Sequence, residues 1–212
     1  GSMAAVWSRP TPAFVSAMQH LAAGVVFAAA ATEILPEVMH ADLPLATFTG
    51  GTLGVAAMLG LKALGERMKG PFAMVGAVAI DLLIDGLVLG LAFVAGQKAG
   101  ILLTVALTLE VLFLGLTLSE AVGEAITSRI RIVLLGTAIG LLMPVGVLIA
   151  QPVSLLPPAY VTGFLSFGLM ALLYLVTEEL LVEAHEKPDS PLISAMFFVG
   201  FLGLMLFEEV GL

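Results

Sequence analysis

The sequence predicts an all-α membrane protein: a bundle of about seven transmembrane helices forming a single domain over residues 1–212. Three observations lead there. Charged residues are 11% of the chain and hydrophobic ones 60%, where a soluble domain carries about 25% charge, and mean hydropathy is +1.13. Apolar stretches recur at the length of about 20 residues that crosses the hydrocarbon core at a rise of about 1.5 Å each. The basic residues sort onto alternate connectors. A surface so poor in charge cannot be solvated by water alone, so lipid is the solvent for much of it.

The expected helices are α1 from about Thr11 to Leu35, α2 from about Leu43 to Leu64 and α3 from about Pro71 to Ala95. Then come α4 from about Ala99 to Val122, α5 from about Ile130 to Ala150, α6 from about Pro158 to His185 and α7 from about Leu192 to Val210. The connectors carry chain-breaking residues: Pro44, Gly70-Pro71, Pro152, Pro157-Pro158 and Pro188. Within α2, Gly50, Gly51, Gly54 and Gly60 permit close helix packing. Within α5, Pro144 is expected to kink the helix and release a carbonyl. Gly1 and Ser2 read as a tag remnant.

Arg9, Lys62, Arg67, Lys69, Arg129, Arg131 and Lys187 fall on the side of the N-terminus, and Lys98 alone on the other. By the positive-inside rule the N-terminus is cytosolic and the C-terminus outside. The cell membrane is the expected location. There is no cysteine, hence no disulfide framework and no thiolate metal or redox site. The net charge of −8 and the lack of basic patches give no footing for nucleic acid. The lipid bilayer is the expected surrounding, and a homodimer is one assembly compatible with the chain.

The functional signal is acid inside apolar helix. Asp81 and Asp85, in AIDLLIDGLVLG, are i and i+4 and share one face of α3. They lie roughly 15 and 21 Å along the helix from Pro71, while Glu110 lies roughly 16 Å from Ala99 on α4. Because α3 and α4 are antiparallel neighbours, all three carboxyls can meet near the midplane. An Asp at a helix centre costs about 2.5–3.5 kcal/mol on insertion scales, and no Lys or Arg lies at that depth. Either the acids are protonated and hydrogen-bonded as structural groups, or they face a wet cavity and hold a cation. Oxygen-only donors suit hard or borderline divalent ions.

Further acids gather at the membrane edges. Glu33, Glu37, His40 and Asp42 end α1, and Glu178, Glu179, Glu183, His185 and Glu186 end α6. Glu120 and Glu124 end α4, with Glu124 about 40° from the Glu110 face. Of these, Glu33, Glu178 and Glu179 are expected to join Asp81, Asp85 and Glu110 as metal-contacting residues along a path. His20 reads as a hydrogen-bonded packing residue, and Glu208 with Glu209 as a solvated end. Glu33-Ile34-Leu35-Pro36-Glu37 and Glu179-Leu180-Leu181-Val182-Glu183 share an acid–aliphatic–aliphatic–x–acid pattern at opposite faces, as an inverted repeat would.

These segments resemble the ZIP (Zrt/Irt-like) family of divalent metal transporters over nearly the whole chain. Asp81-Leu82-Leu83-Ile84-Asp85-Gly86 stands where the family has a His-Asn-x-Pro-Glu-Gly-like motif, and Glu110 to Gly115 where the next helix has a related one. Met143-Pro144-Val145-Gly146 matches a later Glu-Pro-x-Gly. Glu33 to Glu37 resembles a His-Leu-Leu-Pro-Glu helix ending. The most specific match is Glu178 to His185, which nearly reproduces Glu-Glu-Leu-Ile-Pro-Glu-Ala-His.

The resemblance implies an eight-helix fold with a pseudo-twofold repeat, here lacking the first helix, that moves zinc, iron or manganese as substrate and needs no resident cofactor. It implies a metal site at Asp81, Asp85 and Glu110. The positions of a second family ion, Leu82, Val111 and Met143, are apolar here, as is Leu114 at the end of the second motif, so one ion is expected. The loss of histidine lowers the preference for zinc over manganese, iron or magnesium. The alternative is a protein of the same fold that has lost transport and acts as a scaffold, regulatory or proton-responsive protein. An enzyme is not expected: there is no His-Glu-x-x-His and no Gly-x-Ser-x-Gly, and two Asp on one helix are not a two-helix aspartyl pair.

Overall fold

A computed structural model describes residues 11–67, 71–123, 128–186 and 190–211. Within these ranges, the side chains of residues 66, 71–74, 113, 116–123, 129 and 211 are outside the description. Arg9, Lys69, Glu124 and Lys187, and the side chains of Glu120 and Arg129, thus lie outside the described residues. All regular structure among the described residues is helical.

The observed helices are α1 Pro12–His40, α2 Pro44–Arg67, α3 Pro71–Ala95, α4 Gln97–Gly123, α6 Pro158–His185 and α7 Pro191–Gly211. The fifth, α5, is made of Arg129–Gly140 and Leu142–Ala150, followed by a 3₁₀ turn at Gln151–Leu155. Among the described residues six helices are long and apolar enough to cross a membrane, and α4, at 27 residues, has comparable length. The chain is an integral membrane helical bundle.

Two helices run on where the sequence reading stopped or gave no irregularity. Helix α1 continues past Leu35 to His40 through a π turn at Ala30–Ile34. Pro36 lacks the N–H that Thr32 O would accept, and the widened turn directly precedes it. Helix α6 has a π turn at Leu175–Leu180 although Val182 stands where α1 has its proline. Each π turn contains acids of the edge clusters: Glu33 in one, Glu178 and Glu179 in the other. Helix α5 breaks at Leu141, three residues before Pro144, as the missing donor for Gly140 O requires.

Packing follows glycine. Helix α1 crosses α7 where a Cβ on Gly24 would strike the Phe197 carbonyl and one on Gly200 the Leu21 carbonyl. Helix α2 crosses α6 with Gly50 against the Gly163 carbonyl, and α3 crosses α5 with Gly86 against the Met143 carbonyl and Gly146 against the Leu83 carbonyl. With little hydrophobic drive between helices in lipid, close backbone approach and dispersion hold such pairs together. The central windows of α1, α3 and α6 are half or more buried, while α2, α5 and α7 are mostly exposed. These outer helices turn Phe48, Leu53, Leu134, Leu148, Phe198 and Leu202 outward, as a lipid-facing surface demands.

Candidate metal centre

Helix α3 places Asp81 and Asp85 one turn apart, and antiparallel α4 brings Glu110 beside them. One carboxylate oxygen from each of the three lies within 4.8 Å of the others. Asp85 and Glu110 are both 3% exposed, and Asp81 is half-buried. Asp85 Oδ2 and Glu110 Oε2 are buried without a hydrogen-bond partner. The ion pairs among the described residues are Lys62–Glu178, Lys98–Glu33 and Lys98–Glu208, and none touches this cluster.

Three carboxylates in one small volume repel, and burial removes the water that would screen them. Charge balance there requires protons or a bound cation. A buried acceptor left unmade costs about 1–3 kcal/mol, which either species would recover. The oxygen-only donor set fits a divalent cation.

The cluster is reached from one end of the bundle. A cavity of about 430 Å³ runs from Gly65 and Glu186 past Lys62, Glu183 and Glu179 to Asp81. A narrower space of about 30 Å³, the room of a single water, continues among Asp81, Glu110, Gln19, Glu179 and Glu183. Glu179, which the sequence reading expected on the ion's path, lines both spaces together with Asp81. Glu183, to which that reading gave less weight, shares them too, and its Oε2 accepts a 2.8 Å hydrogen bond from Gln19 Nε2.

Other expected site residues stand apart from the cluster. Glu178, the neighbour of Glu179 in the π turn, lines neither space. It pairs with Lys62 at 3.2 Å, and the Lys62 ammonium also lies over the Tyr174 ring. Glu33 lies toward the opposite end, 3.6 Å from Lys98 Nζ. Glu208 corrects the reading of a solvated C-terminal end: its Oε1 accepts from Lys98 Nζ at 2.9 Å. That pairing joins residues 110 positions apart, so no local pattern announces it. His20 is hydrogen-bonded, as expected, to Ser16 O, but it also meets the His185 ring.

The apolar residues at the implied second-ion positions are packed as hydrocarbon. Val111 and Leu114 lie against a small cluster of Val78, Leu82 and Ile139, and Met143 packs on the main core. They add no oxygen or nitrogen donor beside the three carboxyls. No family model matches the chain, and no curated protein matches it.

Proposed function

We propose that this chain is a divalent cation transporter of ZIP-like architecture that carries one ion at Asp81, Asp85 and Glu110. The observation that carries the proposal is the cluster itself: three carboxyls from two helices, two of them buried with an orphaned oxygen each, and no basic partner among the described residues. A zinc, manganese or iron ion is the substrate class. Glu179 and Glu183 line the way between the site and the cavity mouth, and the carboxylates offer a passing ion successive stations.

Alternating access is supported by the unequal ends of the bundle. The Gly65–Glu186 end is open by the 430 Å³ cavity, while at the other Lys98 ties Glu33 to Glu208. By the positive-inside rule the open end faces the cytosol, with the N-terminus, in the cell membrane. An inverted repeat is supported by the matched π turns at the two acid motifs and by the reciprocal packing of α1 on α7 and α6 on α2.

The test is calorimetric titration of Zn²⁺, Mn²⁺, Cd²⁺ and Mg²⁺ into purified protein beside an Asp81→Ala, Glu110→Ala double variant. Saturable binding with a carboxylate component that the variant lacks is expected. Identical titrations for the two proteins would reject the site. A second reading, a proton-responsive protein without transport, is favoured by the same orphaned oxygens, which protons also satisfy. It requires that cations up to millimolar concentration leave the cluster empty.

A further inference from the structure

Histidine 20 lies in the interior of α1 and is 1% exposed. Its Nδ1 is 2.9 Å from Ser16 O, one turn back on the same helix. A carbonyl only accepts, so Nδ1 carries the proton and the neutral ring keeps its lone pair on Nε2. That Nε2 is buried and has no hydrogen-bond partner. A buried nitrogen acceptor without a hydrogen-bond partner is uncommon, because such groups are nearly always satisfied.

What lies beside it is a second imidazole. The His185 ring, in the last turn of α6, is centred 4.9 Å from the His20 ring at 67°. His185 repeats the same arrangement, with its Nδ1 in contact with the carbonyl one turn back, Leu181 O, which likewise assigns the neutral ring's lone pair to Nε2. A histidine whose Nδ1–H is anchored on a backbone carbonyl is oriented to ligate a metal through Nε2. His20 is buried, whereas His185 is exposed.

The seam around the pair is held at two further points. Ser16 Oγ donates to Ala184 O at 2.9 Å, and Gln19 Nε2 donates to Glu183 Oε2 at 2.8 Å. Three successive residues of α6 thus meet three residues within one turn of α1. The backbones on both sides of the imidazole pair are set by contacts that do not depend on it.

We infer that His20 and His185 form a second cation site, a two-imidazole site for a borderline ion such as Zn²⁺, at the end of the bundle where the cavity opens. Its remaining positions are filled by water, which the exposed side of His185 admits. Nitrogen donors set it apart from the all-oxygen cluster: imidazole selects Zn²⁺, Co²⁺ or Ni²⁺ and discriminates against Mg²⁺. Gln19, the neighbour of His20 on α1, lines the same narrow space as Asp81 and Glu110. The site stands on its own geometry and does not require that the carboxylates bind an ion.

The chain has three histidines, His20, His40 and His185, which makes the test direct. Histidine-labelled full-length protein in detergent is followed by long-range ¹H–¹⁵N correlation of the rings. Before metal, His20 should show the Nδ1–H tautomer. On adding Zn²⁺, the Nε2 signals of His20 and His185 should shift together, with His40 as internal control, and Mg²⁺ should leave both unmoved. The same response should persist in an Asp81→Asn, Glu110→Gln variant, which separates this site from the carboxylate proposal. A His185→Gln variant should weaken the response of His20 to Zn²⁺ by at least about tenfold. The inference is overturned if saturating Zn²⁺ leaves both rings of the folded wild-type protein unmoved, or if His20 responds equally well in the His185→Gln variant.

Discussion

The Lys98 ammonium, in the first turn of α4, lies 2.9 Å from Glu208 Oε1 in the last turn of α7. Glu33 Oε1, in the π turn of α1, is 3.6 Å from the same nitrogen. One cation therefore joins three helices at the end of the bundle opposite the cavity mouth. If the chain transports a cation, opening at this end must part them.

Replacing Lys98 by Gln should loosen that end. Partly exposed ion pairs are worth about 0–1 kcal/mol each, and Lys98 makes two, so the shift toward the outward-open state should be no more than about thirtyfold. The absence of native cysteine permits a clean readout. An Ala30→Cys reporter, one turn below Glu33, should react faster with a membrane-impermeant thiol reagent applied from the Lys98 side when Lys98 is Gln. Equal labelling rates would remove the ion triad from any account of gating.

The buried carboxyls should trade stability for binding. Glu110→Gln removes a group whose Oε2 has no partner while keeping its shape. Without metal, the melting temperature of the variant should equal or exceed that of the wild type. Metal should raise the wild-type value, since a ligand at a hundred times its Kd adds about 2.7 kcal/mol, and should leave the variant nearly unmoved. A variant that melts well below the wild type without metal would show Glu110 to be a structural acid.

Binding at the carboxylate cluster should weaken on acidification. A cation needs the oxygens deprotonated, so protons compete with it, and Kd should rise as pH falls, by up to about tenfold per pH unit for each proton displaced. Calorimetry in buffers of different ionisation enthalpy would count the protons released. Zero protons released across the range where affinity changes would contradict direct ligation by Asp81, Asp85 and Glu110.

The α3–α5 crossing should tolerate no side chain. A Cβ on Gly146 would strike the Leu83 carbonyl, whereas one on Gly203 of α7 meets nothing within 4 Å. Gly146→Leu should destabilise by at least the roughly 1–3 kcal/mol of an overpacked core and should disturb metal binding by shifting α3. Gly203→Leu should do neither. Thermal melts of the two variants side by side would decide it.

Much of this arrangement was legible from sequence. The spans follow from apolar length, the break in α5 from Pro144, and the shared face of Asp81 and Asp85 from their spacing of four. Glu110 could be placed beside them because a short loop forces α3 and α4 to be antiparallel neighbours. The distinction between Glu178 and Glu179 was not legible, since both sit in one acidic run and only the packed helix decides which faces Asp81. The second acid of that face, Glu183, was hidden among edge acids for the same reason.

By itself, then, the sequence determined that this is a membrane protein, roughly which segments are long and apolar enough to cross, and which acids lie inside those apolar helices, because hydropathy and helical rise act along one dimension. Tertiary structure alone decided what lies beside each helix. Glycine-lined crossings set α1 on α7, α2 on α6 and α3 on α5. Those lateral choices brought Lys98 to Glu208, Gln19 to Glu183 and His20 to His185 across more than a hundred residues of chain. The strength of such contacts depends on close approach in space, which no spacing along the sequence encodes.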